Sequence, residues 1–320
     1  MQAYIIRRLL LACLTVAMVS TLIFAILRIA PGDVALMVYT QGDESIQEID
    51  PVALEAIRVQ LGLDVPLFQQ YTTWVTNMLM LDWGESYFHG GKVFDDWKRK
   101  LPITLQLAFM TITISTIIAI PIGIMMALRQ DTWLDYTLRI VSLGGISIPS
   151  FWFATMILVV GLYFFSWSPR LDYVSFGEDP WENIKMFIFP ALTLGWVTSA
   201  TKSRMMRSSM LEVLRQDYIR TAHAKGLRYY IVVIRHALKN ALLPVITIIG
   251  ISFALIAGGS VIIETIFQLP GIGRFLVEAM NQRDYNIVQA LVAFFSVWII
   301  FANLLVDLTY GVVDPRVRYD

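Results

Sequence analysis

The chain has 320 residues, of which 57% are hydrophobic and 16% charged, with 25 Lys+Arg balanced by 25 Asp+Glu, and its mean hydropathy is +0.62. A soluble domain carries about a quarter charged residues, so this composition indicates a multi-span membrane protein with modest loops. The zero net charge argues against a function built on broad phosphate contact, and one cysteine, Cys13, excludes an intramolecular disulfide and any cysteine-based zinc or redox cluster.

A membrane-crossing helix needs about 20 predominantly apolar residues, and six charge-poor runs approach that length. The first, Leu9 to Leu27, is flanked by Arg7, Arg8 and Arg28 and is closed by Pro31-Gly32. Its apolar part is too long for a secretory signal and no small-x-small cleavage pattern precedes Pro31, so it reads as a retained anchor. In the region that follows, Leu54 to Leu63 and Leu67 to Leu81 show helical apolar spacing, which predicts two or three short helices with Tyr71, Trp74, Trp83, Tyr87 and Trp97 as bulk.

Ile103 to Leu128 is the second run, and the third lies between Arg139 and Arg170. Met186 to Thr201 is a shorter fourth, which spans only if its helix continues through Lys202 and Arg204 with those side chains snorkelling to the interface. Asn240 to Ile263 and Tyr285 to Val306 complete the set. Pro121, Pro149, Pro190 and Pro244 would each remove a backbone hydrogen bond and bend a helix. Gly144-Gly145 and Gly258-Gly259 would allow helices to approach closely.

The zero net charge is a cancellation. Between Pro31 and Lys100 stand eleven acids and five bases; between Lys202 and Lys239 stand nine bases and only Glu212 and Asp217. Lys and Arg concentrate on the cytoplasmic side of a membrane, so the 202–239 loop is expected there together with both termini, and the 31–100 region on the outside. The Lys98-Arg99-Lys100 cluster runs against this, at the end of a long loop where the rule is weak.

Within the basic loop, Leu211, Leu214, Tyr218, Thr221 and Ala222 recur at helical spacing, then Lys225 and Gly226 supply a basic last turn and a residue suited to left-handed backbone. A second helix is expected from near Leu227, carrying Ile231, Ile234, Leu238 and Leu242. Small residues at Thr221, Ala222 and Ala224 would admit the surface of another protein. Spacing alone leaves two readings open: an amphipathic hairpin held by anionic headgroups, and a docking element. A DNA-reading helix-turn-helix does not suit the flanking spans.

Arg220-Thr221-Ala222-His223-Ala224-Lys225-Gly226, followed after nine residues by His236-Ala237-Leu238-Lys239-Asn240-Ala241-Leu242-Leu243-Pro244, resembles the cytoplasmic motif of binding-protein-dependent ABC importer permeases. The general motif opens Glu-Ala-Ala and closes Ile-x-Leu-Pro; Arg220-Thr221 and His236 to Lys239 depart from it in the way of peptide and nickel permeases. Tyr4 to Leu10, Pro31-Gly32-Asp33, Ser147 to Trp152, Glu264 to Gly273 and Asp314-Pro315-Arg316-Val317-Arg318 extend the resemblance over nearly the whole chain. The long region after the first span is similar to the B-type subunit of the dipeptide, oligopeptide, glutathione and nickel importers.

This resemblance implies an all-α polytopic membrane protein with about six transmembrane helices: a first helix at 1–30, an external region at 31–100 with short helices, a permease core at 101–312 with a coupling loop at about 205–243, and a cytoplasmic tail at 313–320. It implies a bacterial or archaeal plasma (inner) membrane subunit forming half of a pathway for peptides or similar small solutes, with nickel, opine or another non-peptide solute as the alternative. The implied partners are a second, C-type permease, one or two ABC ATPase subunits that bind ATP and Mg, and an extracytoplasmic solute-binding protein, within a lipid bilayer and without nucleic acid. Arg220, Thr221, Ala222, His223, Ala224, Lys225 and Gly226 would form the ATPase-coupling turn, and the substrate pathway is unassigned.

Other chemistry is poorly represented in the residues. A P-loop needs G-x-x-x-x-G-K-[ST]; the only Gly-Lys, Gly91-Lys92, is followed by Val93 and has Ser86 in place of the first glycine. No enzymatic activity and no cofactor in this chain is therefore expected. His89, His223 and His236 are spaced for no metal cluster. An ATP-independent secondary transporter or channel would be expected to carry ionisable groups at mid-membrane, and the centres of the six runs carry none. Ser147, Ser150, Thr201, Ser252 and Ser260 are expected to bond their own helix backbone, and Glu264 to lie at a solvated span edge.

Overall fold

A computed structural model of the chain describes residues 2–29, 32–40, 49–88, 90–258 and 260–313. Pro31, Asp43, Glu44, Glu48, His89, Gly259 and the Asp314 to Arg318 motif lie outside the described residues. The elements in chain order are α1 (Gln2–Ile29), α2 (Val34–Thr40), α3 (Pro51–Gln60), α4 (Leu67–Leu79), α5 (Val93–Leu128), α6 (Trp133–Ser147), α7 (Ser150–Phe165), α8 (Pro180–Leu214), α9 (Asp217–Ala224) and α10 (Tyr229–Ile231). A π-helical segment, Val232–Ala237, leads into α11 (Leu238–Ala257), then α12 (Val261–Ile266), α13 (Ile272–Gln282) and α14 (Tyr285–Val313). The protein is all-α, with no strand among the described residues.

Five stretches are long and apolar enough to cross a membrane: Leu10–Ile29, Val93–Leu128, Pro180–Leu214, Tyr229–Ala257 and Tyr285–Ala302. The third expected span is not one rod. It is α6 and α7, bent by 99° to one another, and makes a sixth span when the pair is taken together. Pro149 causes the break: it has no N–H to donate, and it stands as the residue before α7 instead of inside a helix. Pro121, Pro190 and Pro244 do lie inside α5, α8 and α11. The fifth run stops short, because α11 ends at Ala257 and the chain restarts as α12.

The chain divides into two compact units, one made of Met1–Ile103 and Gly271–Ile300, the other of Thr104–Pro270 and Phe301–Asp320. In the second unit α8 is the hub, packed against α6, α7 and α11. Between helices in lipid there is no hydrophobic gain, so close packing of small residues and hydrogen bonds must hold them. Glycines supply that approach. A Cβ on Gly123 would fall 2.7 Å from the Ser203 carbonyl oxygen, one on Gly145 would fall 2.9 Å from that of Trp196, and one on Gly195 would fall 3.1 Å from Ile114.

As the short fourth run required, α8 continues through Lys202 and Arg204. Lys202, however, does not snorkel: it is fully buried and donates to Ser115 Oγ of α5. Helix α8 places it on the face that meets α5, so its amine finds a hydrogen-bond partner inside the protein. Glu264 departs from expectation in the same way. It is fully buried, accepting from Thr104 Oγ1 at 2.9 Å and from Ser260 Oγ at 3.3 Å. Ser252 bonds the Ile248 carbonyl as expected.

In the first unit the predicted short helices are α2, α3 and α4. Helix α4 docks on α1 through Phe24–Tyr71 ring contact at 5.3 Å and an Arg28 to Gln70 hydrogen bond of 2.9 Å. Trp83, Phe94, Trp97 and Phe294 form an aromatic cluster with centroids 5.1–5.4 Å apart, and Asp284, fully buried, accepts from Ser86 Oγ and the Tyr87 amide. Asp33 opens α2, accepting from the Ala35 and Leu36 amides, and it is paired with Arg58 of α3.

Burial alone would raise the Asp33 carboxyl, but the Arg58 hydrogen bond, the Leu36 and Ala35 amides and the Arg58 charge outweigh it, and its pKa lies below the usual carboxylate value. A carboxyl depressed on folding stabilises above its unfolded pKa of about 4 and loses that contribution as pH falls through the folded value. The stability difference between wild type and Asp33→Asn, followed by thermal unfolding in detergent, is therefore expected to be constant near neutrality and to shrink below about pH 4. A difference unchanged on acidification would remove the pair from the account.

Candidate coupling site: a basic helical hairpin

The hairpin begins where α8 ends at Leu214. The sequence reading ran one helix through 211–222; the structure breaks it at Arg215-Gln216 and restarts it as α9, with Gln216 extended at φ −72°, ψ 149°. Eight residues are too few for a helix to persist in water on propensity alone. Tertiary packing holds α9. Ile219 and Ala222, three residues apart and so on one face, are buried with Met206, Met210, Val232, Val233, Ala237 and Ala241. Burying an isoleucine side chain fully is worth about 1.5–3 kcal/mol, which offsets part of the ordering cost of so short a helix.

The turn after α9 follows from Gly226. The Gly226 amide donates to the His223 carbonyl at 2.9 Å and the Leu227 amide to the Ala222 carbonyl at 3.4 Å, the paired pattern of a Schellman cap. That cap requires left-handed backbone, and Gly226 has φ +77°. Space is not what demands glycine here, since nothing lies within 4 Å of where a Cβ would sit. The constraint is backbone strain.

The return helix of the hairpin starts at Tyr229, two residues later than expected, and passes at once into the π-helical segment Val232–Ala237. The wider turn there places Val232, Val233 and Ala237 in the same buried cluster as Ile219. Asn240 Nδ2 donates to Tyr218 Oη at 2.7 Å, closing the hairpin at its base. His223 stacks on Tyr229 across the turn, with ring centroids 5.8 Å apart.

The seven residues of the 220–226 motif are therefore together on one short helix and its cap, but they do not share a face. Arg220, Thr221, His223, Ala224, Lys225 and Gly226 are exposed. Ala222 is not: it points into the chain's own core, so its small size serves internal packing and not approach by another protein. Arg220 pairs locally with Asp217 at 3.3 Å, and the Thr221 hydroxyl bonds the Asp217 carbonyl. Ile219 and Asn240 were missed as contributors. Ile219 was legible as the apolar partner of Ala222 at i,i+3, whereas the Asn240–Tyr218 bond depends on the fold.

An arrangement of this kind offers a firmly seated, electropositive knob on helices long and apolar enough to cross a membrane, which defines the class as a multi-pass, all-α membrane protein. The comparisons with known proteins give the family. Residues 119–319 match the binding-protein-dependent transport system inner membrane component, and residues 1–108 match the N-terminal region of the same membrane components. The chain belongs to this family, so it is a transport subunit that works in a membrane with a solute-binding protein and an ATPase, and not itself an ATPase.

Among relatives, it is 38% identical over 320 residues to a putative peptide transport system permease protein of Brucella abortus (strain 2308), and 39% identical over 325 residues to a probable peptide ABC transporter permease protein of Sinorhizobium fredii (strain NBRC 101917 / NGR234). It is 35% identical over 319 residues to the glutathione transport system permease protein GsiC of Escherichia coli (strain K12). All three alignments cover 100% of both chains. A solved amino acid ABC transporter crystallised with histidines matches 68% of this chain and 94% of its own at 16% identity and a TM-score of 0.51, a likeness of fold.

Gly226→Ala is expected to leave the packing intact and strain the cap by about 1 kcal/mol. Limited trypsin digestion after Lys225 in detergent should quicken by about fivefold through the greater open population. An unchanged digestion rate would contradict the backbone argument.

Proposed function

We propose that this chain forms half of the translocation pathway of an ATP-driven importer for peptides or similar small solutes, and that the 220–226 turn receives the stroke of the ATPase. The observation that carries this reading is the division of α9: Ile219 and Ala222 anchor it inwards, while Arg220, Thr221, His223, Ala224 and Lys225 are left exposed around a capped turn. A partner that seats on the exposed face pushes on a helix fixed to the bundle, not on a free loop. The peptide class of substrate follows the names of the Brucella and Sinorhizobium relatives, and glutathione is itself a small peptide.

The partners in this reading are a second, C-type permease, one or two ABC ATPase subunits and an extracytoplasmic solute-binding protein. ATP and Mg are bound by the ATPases. The Lys and Arg excess of the 202–239 segment supports a cytoplasmic hairpin and cytoplasmic termini in a bacterial or archaeal inner membrane. ATP binding must favour one orientation of the bundle through contacts that differ between the two, because only differential interaction shifts an equilibrium. The solute-binding protein supplies the first selection of substrate.

The test is to replace the exposed small residues. Thr221→Trp and Ala224→Trp are expected to release the ATPase subunits from the complex purified in mild detergent, leaving membrane insertion and the permease pair unaffected. Substrate-stimulated ATP hydrolysis at the wild-type level in both variants would remove the coupling role. Isolation of a transport-active assembly of this chain without any ATPase would overturn the importer reading.

A further inference from the structure

The second unit contains a buried charge cluster outside the hairpin. Asp135, in the first turn of α6, has a fully buried side chain. Arg139, one turn on in the same helix, donates to it through Nε at 2.8 Å and through Nη2. Arg207 of α8 donates through Nε at 3.1 Å and Nη2 at 2.9 Å. The Asp131 amide adds a fifth bond at 3.0 Å. One carboxylate thus engages two guanidinium forks, one from each of two helices.

This cluster is the innermost rung of a seam. Farther along, Ser203 of α8 donates to Ser142 Oγ of α6 at 3.2 Å, and beyond that Gly145 lies against the Trp196 carbonyl and Ala200. Arg207 lies about two turns before the end of α8, so the carboxylate clamp sits next to the point where the hairpin leaves the bundle. Two-pronged charged bonds fix orientation as well as distance, and at this position they oppose both sliding and rotation of α8 against α6.

We propose that Asp135 is a positioning residue that ties α6 to α8, so that a push received by the hairpin moves α6, α7 and α8 as one body. It acts through Arg207. The proposal rests on the coupling reading above and adds which span the hairpin drags with it. Without the clamp, α8 yields alone, and ATP is spent without reorienting the bent α6–α7 pair.

The test uses the whole complex reconstituted in vesicles, in a Cys13→Ser background, with ATP hydrolysis and substrate uptake measured together. Asp135→Asn is expected to cut uptake per ATP by about tenfold, a typical loss for one broken coupling element, while assembly and hydrolysis stay near the parent's. Arg207→Lys keeps the charge and loses the fork, and it should lower the same ratio by less. A purely structural role would lower assembly, hydrolysis and uptake together.

The Ser142→Cys/Ser203→Cys pair then replaces the tie covalently. Oxidised to a disulfide, verified by mass spectrometry, it is expected to leave uptake intact in the parent and to restore the ratio in Asp135→Asn. Loss of uptake on oxidation of the parent pair would show that α6 and α8 must separate and would overturn the tie, as would an unchanged ratio in Asp135→Asn. Absence of any ATP-driven uptake by the parent complex would instead sink the coupling reading, and the tie with it.

Discussion

The structure depends on the length and the seating of one helix. At 1.5 Å per residue, the 35 residues of Pro180–Leu214 make a rod of about 50 Å, against a hydrocarbon core of about 30 Å. Such a rod can cross the membrane and still carry about four turns outside it. What it carries matters only if it is held stiffly, and in lipid the hydrophobic effect offers nothing to hold it. The seating is done by backbone approach at Gly123, Gly145 and Gly195 and by buried polar contacts from Ser115, Ser142 and Asp135.

On the proposed reading, the hairpin extends the same logic beyond the bilayer. There water is present and apolar burial regains its force, so the eight-residue α9 is fixed by Ile219 and Ala222 and not by glycine seams. The change of device follows the change of solvent. A basic exposed surface on a firmly anchored short helix is what a mechanical contact with another subunit requires: charge for recognition, and stiffness for transmission.

Much of this was legible in the sequence because composition and period report environment directly. The apolar runs, the acidic and basic segments and the turn at Gly226 follow from residue type and spacing, whereas the 220–244 motif was legible only as a resemblance, with which the family assignment agrees. What could not be read were properties that arise only when helices meet. Nothing local distinguishes a snorkelling lysine from Lys202 buried on Ser115, or a solvated glutamate from Glu264 beneath Thr104. The break at Arg215-Gln216 and the π-helical segment escaped for a related reason, since α-helical spacing continues through both. Ala222 shows the limit most clearly: its size was read correctly and its direction was not, because direction is set by where the next helix lies.

The account's central claim is that the hairpin and α8 are one lever, and it is tested by the distance between the two ends of that lever. Spin labels at the exposed positions Lys185, near the start of α8, and Ala224, at the hairpin, would be measured by pulsed electron–electron resonance in the assembled complex. The predicted result is a single distance, the same without nucleotide and with ATP trapped. A second distance population on ATP binding would contradict the lever and place the moving joint between α8 and α9.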